Sequence, residues 1–117
     1  MSRSTLRSSI IILTLITALV HLVVLNIGIY NDTGSIEPLF TLNGLGYFGF
    51  LWALLNPPGF LRGKDILVHY GFMAYAAVTI LAWALINGDF SDPVGVGTKV
   101  VEVLLIVALW LHLKSAE

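Results

Sequence analysis

The sequence contains no cysteine, which removes disulfides, iron–sulfur clusters, thiolate zinc sites and cysteine nucleophiles from consideration. Charge is almost as scarce: charged side chains are 11% of the 117 residues, and six basic against seven acidic residues leave a net charge of −1. No basic stripe exists to release counterions from a phosphate backbone, so nucleic acid is not an expected partner. Catalytic signatures are missing as well, with no G-x-S-x-G, no H-E-x-x-H and no Walker glycine loop. Gly95-Val96-Gly97 precedes a helical run, but no strand leads into it, so it does not read as a phosphate cradle. Neither a solenoid-period repeat nor a low-complexity segment interrupts the chain. The expectation is therefore no enzyme, no catalytic or metal-ligating set and no resident cofactor.

What the sequence has in abundance is apolar surface: 57% of its residues are hydrophobic and its mean hydropathy is +0.91, values that call for lipid as the main solvent. Four apolar runs, about 8–30, 38–55, 66–86 and 98–113, approach the ~20 residues that cross a hydrocarbon core. Too few segments exist to close a barrel, so each run is read as a helix that satisfies its own backbone. The fourth is short. The first is longer than a secretory h-region, with no small-residue cleavage site after it, and is read as a span. Turn-rich connections at Asn31–Ser35, Asn56–Gly59 and Asn87–Gly97 are brief enough to make neighbouring helices antiparallel. The expected architecture is all-α, a single-domain, up-down four-helix bundle integral to the membrane. Arg3, Arg7, Arg62, Lys64 and Lys114 fall on one side of it and Lys99 on the other, which predicts cytoplasmic termini in a multi-pass cell-membrane protein. Trp52 and Trp110 fall at inner ends and Tyr30 and Trp83 near outer ones, while Asp32, Glu37, Asp89 and Asp92 lie outside.

Polar residues at membrane depth are expected to face other helices or a cavity. On the first helix Thr14, Thr17, His21 and Gly28 share one face at ~100° per residue, and on the second Gly46, Gly49 and Ala53 form a line that lets backbones approach. Counting ~1.5 Å per residue from the outer ends places Asn26, Asn43 and Glu102 roughly 6–8 Å deep and His21 and Tyr47 roughly 13 Å deep. Lys99 stands one turn before Glu102 and can pair with it. These six residues make a candidate outer-half polar cluster, either structural glue between helices or a site for a proton or polar head group. His69 and His112 lie on the inner side, read as interfacial residues, and are the candidate ligands for a haem or pigment.

The runs Ile16–Leu22, Pro38–Tyr47 and Lys99–Val103 resemble a group of small four-span membrane proteins of haloarchaea and some bacteria, a group with no established activity. The resemblance implies the four-helix membrane fold and transfers no functional residue. Function is expected in one of three classes. The first is a structural or accessory subunit packing laterally against other membrane proteins, or against copies of itself, among membrane lipids. The second is a small-molecule, lipid or proton-binding protein using the outer cluster. The third is a haem, quinone or pigment carrier.

Overall fold

The computed structural model describes residues 2–24, 26, 27, 30, 31, 34, 38–87, 91 and 93–115, with only the backbone of 39, 40, 86 and 87. These residues form four helices: α1 (Arg3–Leu19), α2 (Pro38–Leu55), α3 (Asp65–Ala82) and α4 (Pro93–Ser115). α1 and α3 each run on into a wider π-type turn, Val20–Val24 and Trp83–Asn87. A 3₁₀ turn, Gly59–Leu61, follows Pro57-Pro58 between α2 and α3, and Gly63 completes that connection at φ 77°, a conformation that favours glycine. Among the described residues there is no strand.

α1 packs most extensively on α4, α4 on α3 and α1 on α2, and α2 also meets α3. Arg3 donates to the His112 carbonyl (2.8 Å) and to Ser115 Oγ (3.0 Å), which sets the start of α1 against the end of α4. His69, near the start of α3, meets His112. Neighbours are thus antiparallel, and the start of α1, the α2–α3 connection and the end of α4 share one end of the bundle. It carries Arg3, Arg7, Arg62, Lys64 and Lys114 and is called the basic end below.

Among the described residues three stretches are long and apolar enough to cross a membrane: Arg3–Val24, Asp65–Leu85 and Pro93–Ser115, of 22, 21 and 23 residues. α2, at 18 residues, reaches ~27 Å at ~1.5 Å per residue, just short of a ~30 Å hydrocarbon core. Two helix starts lie earlier than the apolar runs suggest. α1 begins at Arg3 because Ser2 caps it, its Oγ accepting the Thr5 N–H at 3.0 Å. α4 begins at Pro93, where a proline without an N–H costs the first turn nothing. Far from being short, α4 is the longest of the described helices.

Each helix buries a narrow stripe. Ile10, Ala18, Tyr47, Leu51, Phe72, Ala76, Leu105, Ala108 and Leu109 meet in the core, while Ile12, Leu42, Ile66, Val78, Leu85 and Val103 are among many large apolar side chains left exposed. On α3 the stripe is Val68, His69, Phe72, Ala76 and Thr79, a three-to-four spacing that selects one helical face.

The small-residue line expected on α2 is corrected. Gly49 is exposed and a Cβ there would meet nothing within 4 Å, and Ala53 is only half-buried. A Cβ on Gly46 would run into the Tyr75 hydroxyl, a side chain rather than a helix backbone. The close backbone approach is at Gly44, where a Cβ would lie 2.9 Å from the Ala18 carbonyl oxygen and 2.5 Å from Leu22 Cγ. Pairing with α1 turns the α2 face by about two residues from the one that small side chains alone mark out. Gly28 and the acidic residues Asp32, Glu37, Asp89 and Asp92 lie outside the described residues.

Candidate functional site

Glu102 projects from α4 into the middle of the bundle and is completely buried. Its Oε1 accepts from Lys99 Nζ at 2.6 Å. Its Oε2 accepts from Thr17 Oγ1 of α1 at 2.8 Å and from the Tyr47 hydroxyl of α2 at 3.0 Å. An i, i+3 spacing on one helix lets Lys99 turn back onto the carboxylate, and Lys99 is itself 8% exposed. Burying both charges is costly, and such a pair is held better when further hydrogen bonds meet its lone pairs, as two hydroxyls do here at Oε2.

His21 adjoins this centre from the π turn of α1. Its Nδ1–H points at the Thr17 carbonyl (2.8 Å) and passes 3.4 Å from Thr17 Oγ1, and its ring tilts against Tyr47 with centroids 6.2 Å apart. Thr14, one turn below Thr17, is buried and returns its hydroxyl proton to the Ile10 carbonyl (2.6 Å), so it serves its own helix.

Two flanking bridges complete the layer. Asn43 Nδ2 donates to Thr79 Oγ1 (2.8 Å), Thr79 Oγ1 donates to the Tyr75 carbonyl (3.0 Å), and the Tyr75 hydroxyl donates to the Asn43 carbonyl (2.7 Å), which ties α2 to α3. Tyr75 also meets the Tyr47 ring edge-on, with centroids at 5.0 Å. Asn26 Nδ2 donates to the carbonyls of His21 (3.3 Å) and Leu22 (3.0 Å) and to Thr41 Oγ1 (3.0 Å), which ties the end of α1 to α2. Of the six residues grouped by depth, Tyr47, Lys99 and Glu102 are joined directly and His21 through Thr17. Asn26 and Asn43 make separate bridges and do not bond Glu102.

Sequence reasoning did not single out Thr41, Tyr75 or Thr79. Tyr75 and Thr79 stand four apart on α3, one helical turn, and that spacing was the available signal. The inner histidines require the larger correction. His69 is 0% and His112 6% exposed, with Nε2 of the first 2.8 Å from Nδ1 of the second, so the two rings are buried against each other at the basic end. Ring nitrogens this close leave no room for a haem iron between them, and His69 Nδ1 is committed to the Asp65 carbonyl. Among the described residues no group of three or more His, Asp or Glu side chains is placed to hold a metal ion.

Two atoms of this layer have spare capacity. Lys99 Nζ uses one of its N–H donors, on Glu102, and Asn43 Oδ1 is buried without a donor. Lys99 lies one turn beyond Glu102 on α4 and Asn43 one turn beyond Tyr47 on α2. Both therefore stand on the same side of the Tyr47–Glu102 bond, away from the basic end.

The model of a family of unknown function (DUF7475) matches residues 2–112. The chain belongs to that family. The DUF7475 match runs from the Ser2 cap to His112 and so takes in every residue of the centre and both bridges. No curated protein and no solved structure matches this DUF7475 chain.

Proposed function

We propose that this is a polytopic membrane protein whose bundle encloses a binding centre for a small polar solute or head group, built on Glu102 and Lys99. One observation carries the reading: a fully buried carboxylate paired with a buried ammonium at the level where Asn43 Oδ1 lacks a donor. Buried ion pairs add little to stability beyond what apolar side chains of the same volume supply, whereas ionisable residues inside spans mark binding sites and proton paths. The occupant that fits would offer an oxygen acceptor to Lys99 and a donor to Asn43, resting over the Tyr47–Glu102 bond with the His21 ring beside it.

The orientation belongs to the same proposal. With the basic end in the cytoplasm, five of six basic residues obey the positive-inside rule, both termini are cytoplasmic, and the Glu102 centre opens toward the outer leaflet of the cell membrane.

Thermal unfolding of the purified protein in mild detergent, screened against small amides, carboxylic acids and polyols, tests the binding reading. A ligand at 100 times its Kd adds ~2.7 kcal/mol to stability, so a true occupant raises the Tm of the wild type and leaves Lys99→Met unmoved. Compounds that shift both proteins equally, or none, refute it.

A second reading is favoured by the three donors already on the Glu102 carboxylate and by the apolar surface left exposed on every helix. In it the polar layer is glue, and the protein works as an accessory subunit through lateral contacts. The mass of the gently solubilised protein, and the chains that travel with it, decide that case. An absorption spectrum with a Soret or chlorophyll band would instead restore the haem or pigment reading.

A further inference from the structure

The basic end holds a second polar group that the Glu102 centre does not use. His69, one turn into α3, and His112, near the end of α4, stack with ring centroids 5.1 Å apart and planes 15° from parallel. His69 Nε2 and His112 Nδ1 are 2.8 Å apart. The surroundings dictate where the hydrogens sit. His69 Nδ1 lies 2.8 Å from the Asp65 carbonyl oxygen, which can only accept, so Nδ1 carries the hydrogen and Nε2 of a neutral ring is an acceptor. His112 Nδ1 must then donate to it. That leaves His112 Nε2 as the acceptor of the neutral pair, and among the described residues it has no hydrogen-bond partner.

The neutral pair can therefore gain a hydrogen at one position without losing a bond, and a second would place two hydrogens in the gap between the rings. Charges nearby give the site a direction. Asp65 Oδ2 stands 3.6 Å from His69 Nδ1, while Arg3 of α1 donates to the carbonyl of His112. The half of α2 toward this end, residues 48–55, has no titratable side chain, and Lys114 lies over the Trp110 ring at 4.6 Å. A carboxylate thus flanks the His69 ring and a guanidinium flanks the His112 backbone.

We propose that His69 and His112 form a one-proton site that takes up a proton at His112 Nε2 and passes it to His69, next to Asp65. Uptake forms an N–H bond at His112 Nε2. The His112 Nδ1–H bond then breaks as the His69 Nε2–H bond forms, so one proton enters and the charge comes to rest on His69. The site lies about 15 Å further along α4 than Glu102, with Leu105, Leu109, Ile10, Phe72 and Leu51 between them. It is independent of the proposed binding centre.

Nitrogen NMR of the full chain with 15N-labelled histidine, in micelles or bilayers, tests this across an acid titration. In the neutral state both rings should carry hydrogen on Nδ1. Acidification should then add one proton to the pair, with charge on His69 and His112 converted to its Nε2–H form. Asp65→Asn should keep uptake of one proton but move the charge toward His112. His112→Gln should alter the titration of His69. A neutral His69 protonated on Nε2, two independent single-ring titrations in the wild type, or a His69 titration unchanged by His112→Gln would each overturn the proposal. None of these readouts depends on a ligand at Glu102.

Discussion

Replacing Glu102 with leucine should be among the most damaging single changes in the bundle. It removes the acceptor of three hydrogen bonds at once and leaves the Lys99 ammonium, 8% exposed, without its anion. Taking one partner from a buried pair costs ~3–5 kcal/mol, and each hydroxyl left without an acceptor in a membrane interior adds ~0.6–2 kcal/mol. Lys99 recovers part of this, because its flexible stem starts near the beginning of α4 and can carry the ammonium toward the head groups. The net expectation is ~2–4 kcal/mol for Glu102→Leu, and less for Glu102→Gln, whose amide can still accept from Lys99 while Thr17 and Tyr47 reverse their hydroxyls. Lys99→Met combined with Glu102→Leu removes both charges and should be milder than the sum of the two, with a coupling of ~2–3 kcal/mol. Reversible unfolding in mixed micelles, followed by loss of helicity as the denaturing detergent fraction rises, measures all four corners of the cycle. If the single variants each fall within ~0.5 kcal/mol of wild type and add without coupling, the pair is not formed in the folded protein and the centre has been misassigned.

The α2 glycines should respond with opposite signs. Gly44→Ala drives a methyl into the Ala18 carbonyl and Leu22 and should cost ~1–3 kcal/mol. Gly49→Ala meets nothing and should gain up to ~1 kcal/mol from helix propensity; the same unfolding assay reads both. Tyr75→Phe deletes the hydroxyl that holds the Asn43 carbonyl, for a loss of ~0.6–2 kcal/mol, and a silent result would mean that the α2–α3 bridge does not bear on stability. Cysteine labelling at Ser2, Gly59 and Ser91 with an impermeant reagent on intact cells should modify only Ser91→Cys. Labelling of Ser2→Cys and Gly59→Cys in its place would invert the orientation.

Helix identity was legible because apolar runs and turn chemistry speak at the level of segments. The ends were less so: Ser2 and Pro93 act through a single hydrogen bond and a single missing donor, and neither alters hydropathy. For the polar layer, counting residues from the outer ends gave depth, which is why Glu102, Tyr47, Lys99 and His21 could be grouped. Direction around the helix axis was harder. Small residues on α2 pointed to Gly46 and Gly49, yet the helix packs through Gly44, since the pairing face is fixed by the partner's side chains as much as by a glycine's own smallness. The pairing of the histidines was not legible because each stands near a helix end; only the antiparallel packing of α3 with α4 brings the start of one beside the end of the other and buries the two rings together.

The π turn at Val20–Val24 reaches beyond the local backbone. On a regular helix Asn26 would stand about 140° around the axis from His21 and could not share its buried face. The widened turn, closing over five residues rather than four, brings Asn26 back inward, where it is 6% exposed and reaches Thr41. Such a turn absorbs one inserted residue: the helix on either side of it keeps the face it would have without the insertion. Deleting Val23 would therefore leave Asn26 one regular turn beyond His21, about 40° around the axis, still facing α2 with Thr14 and Thr17 in place. Along α1 a one-residue change of length is thus taken up at this turn, and a relative one residue shorter here would present the same rim over an unchanged Glu102.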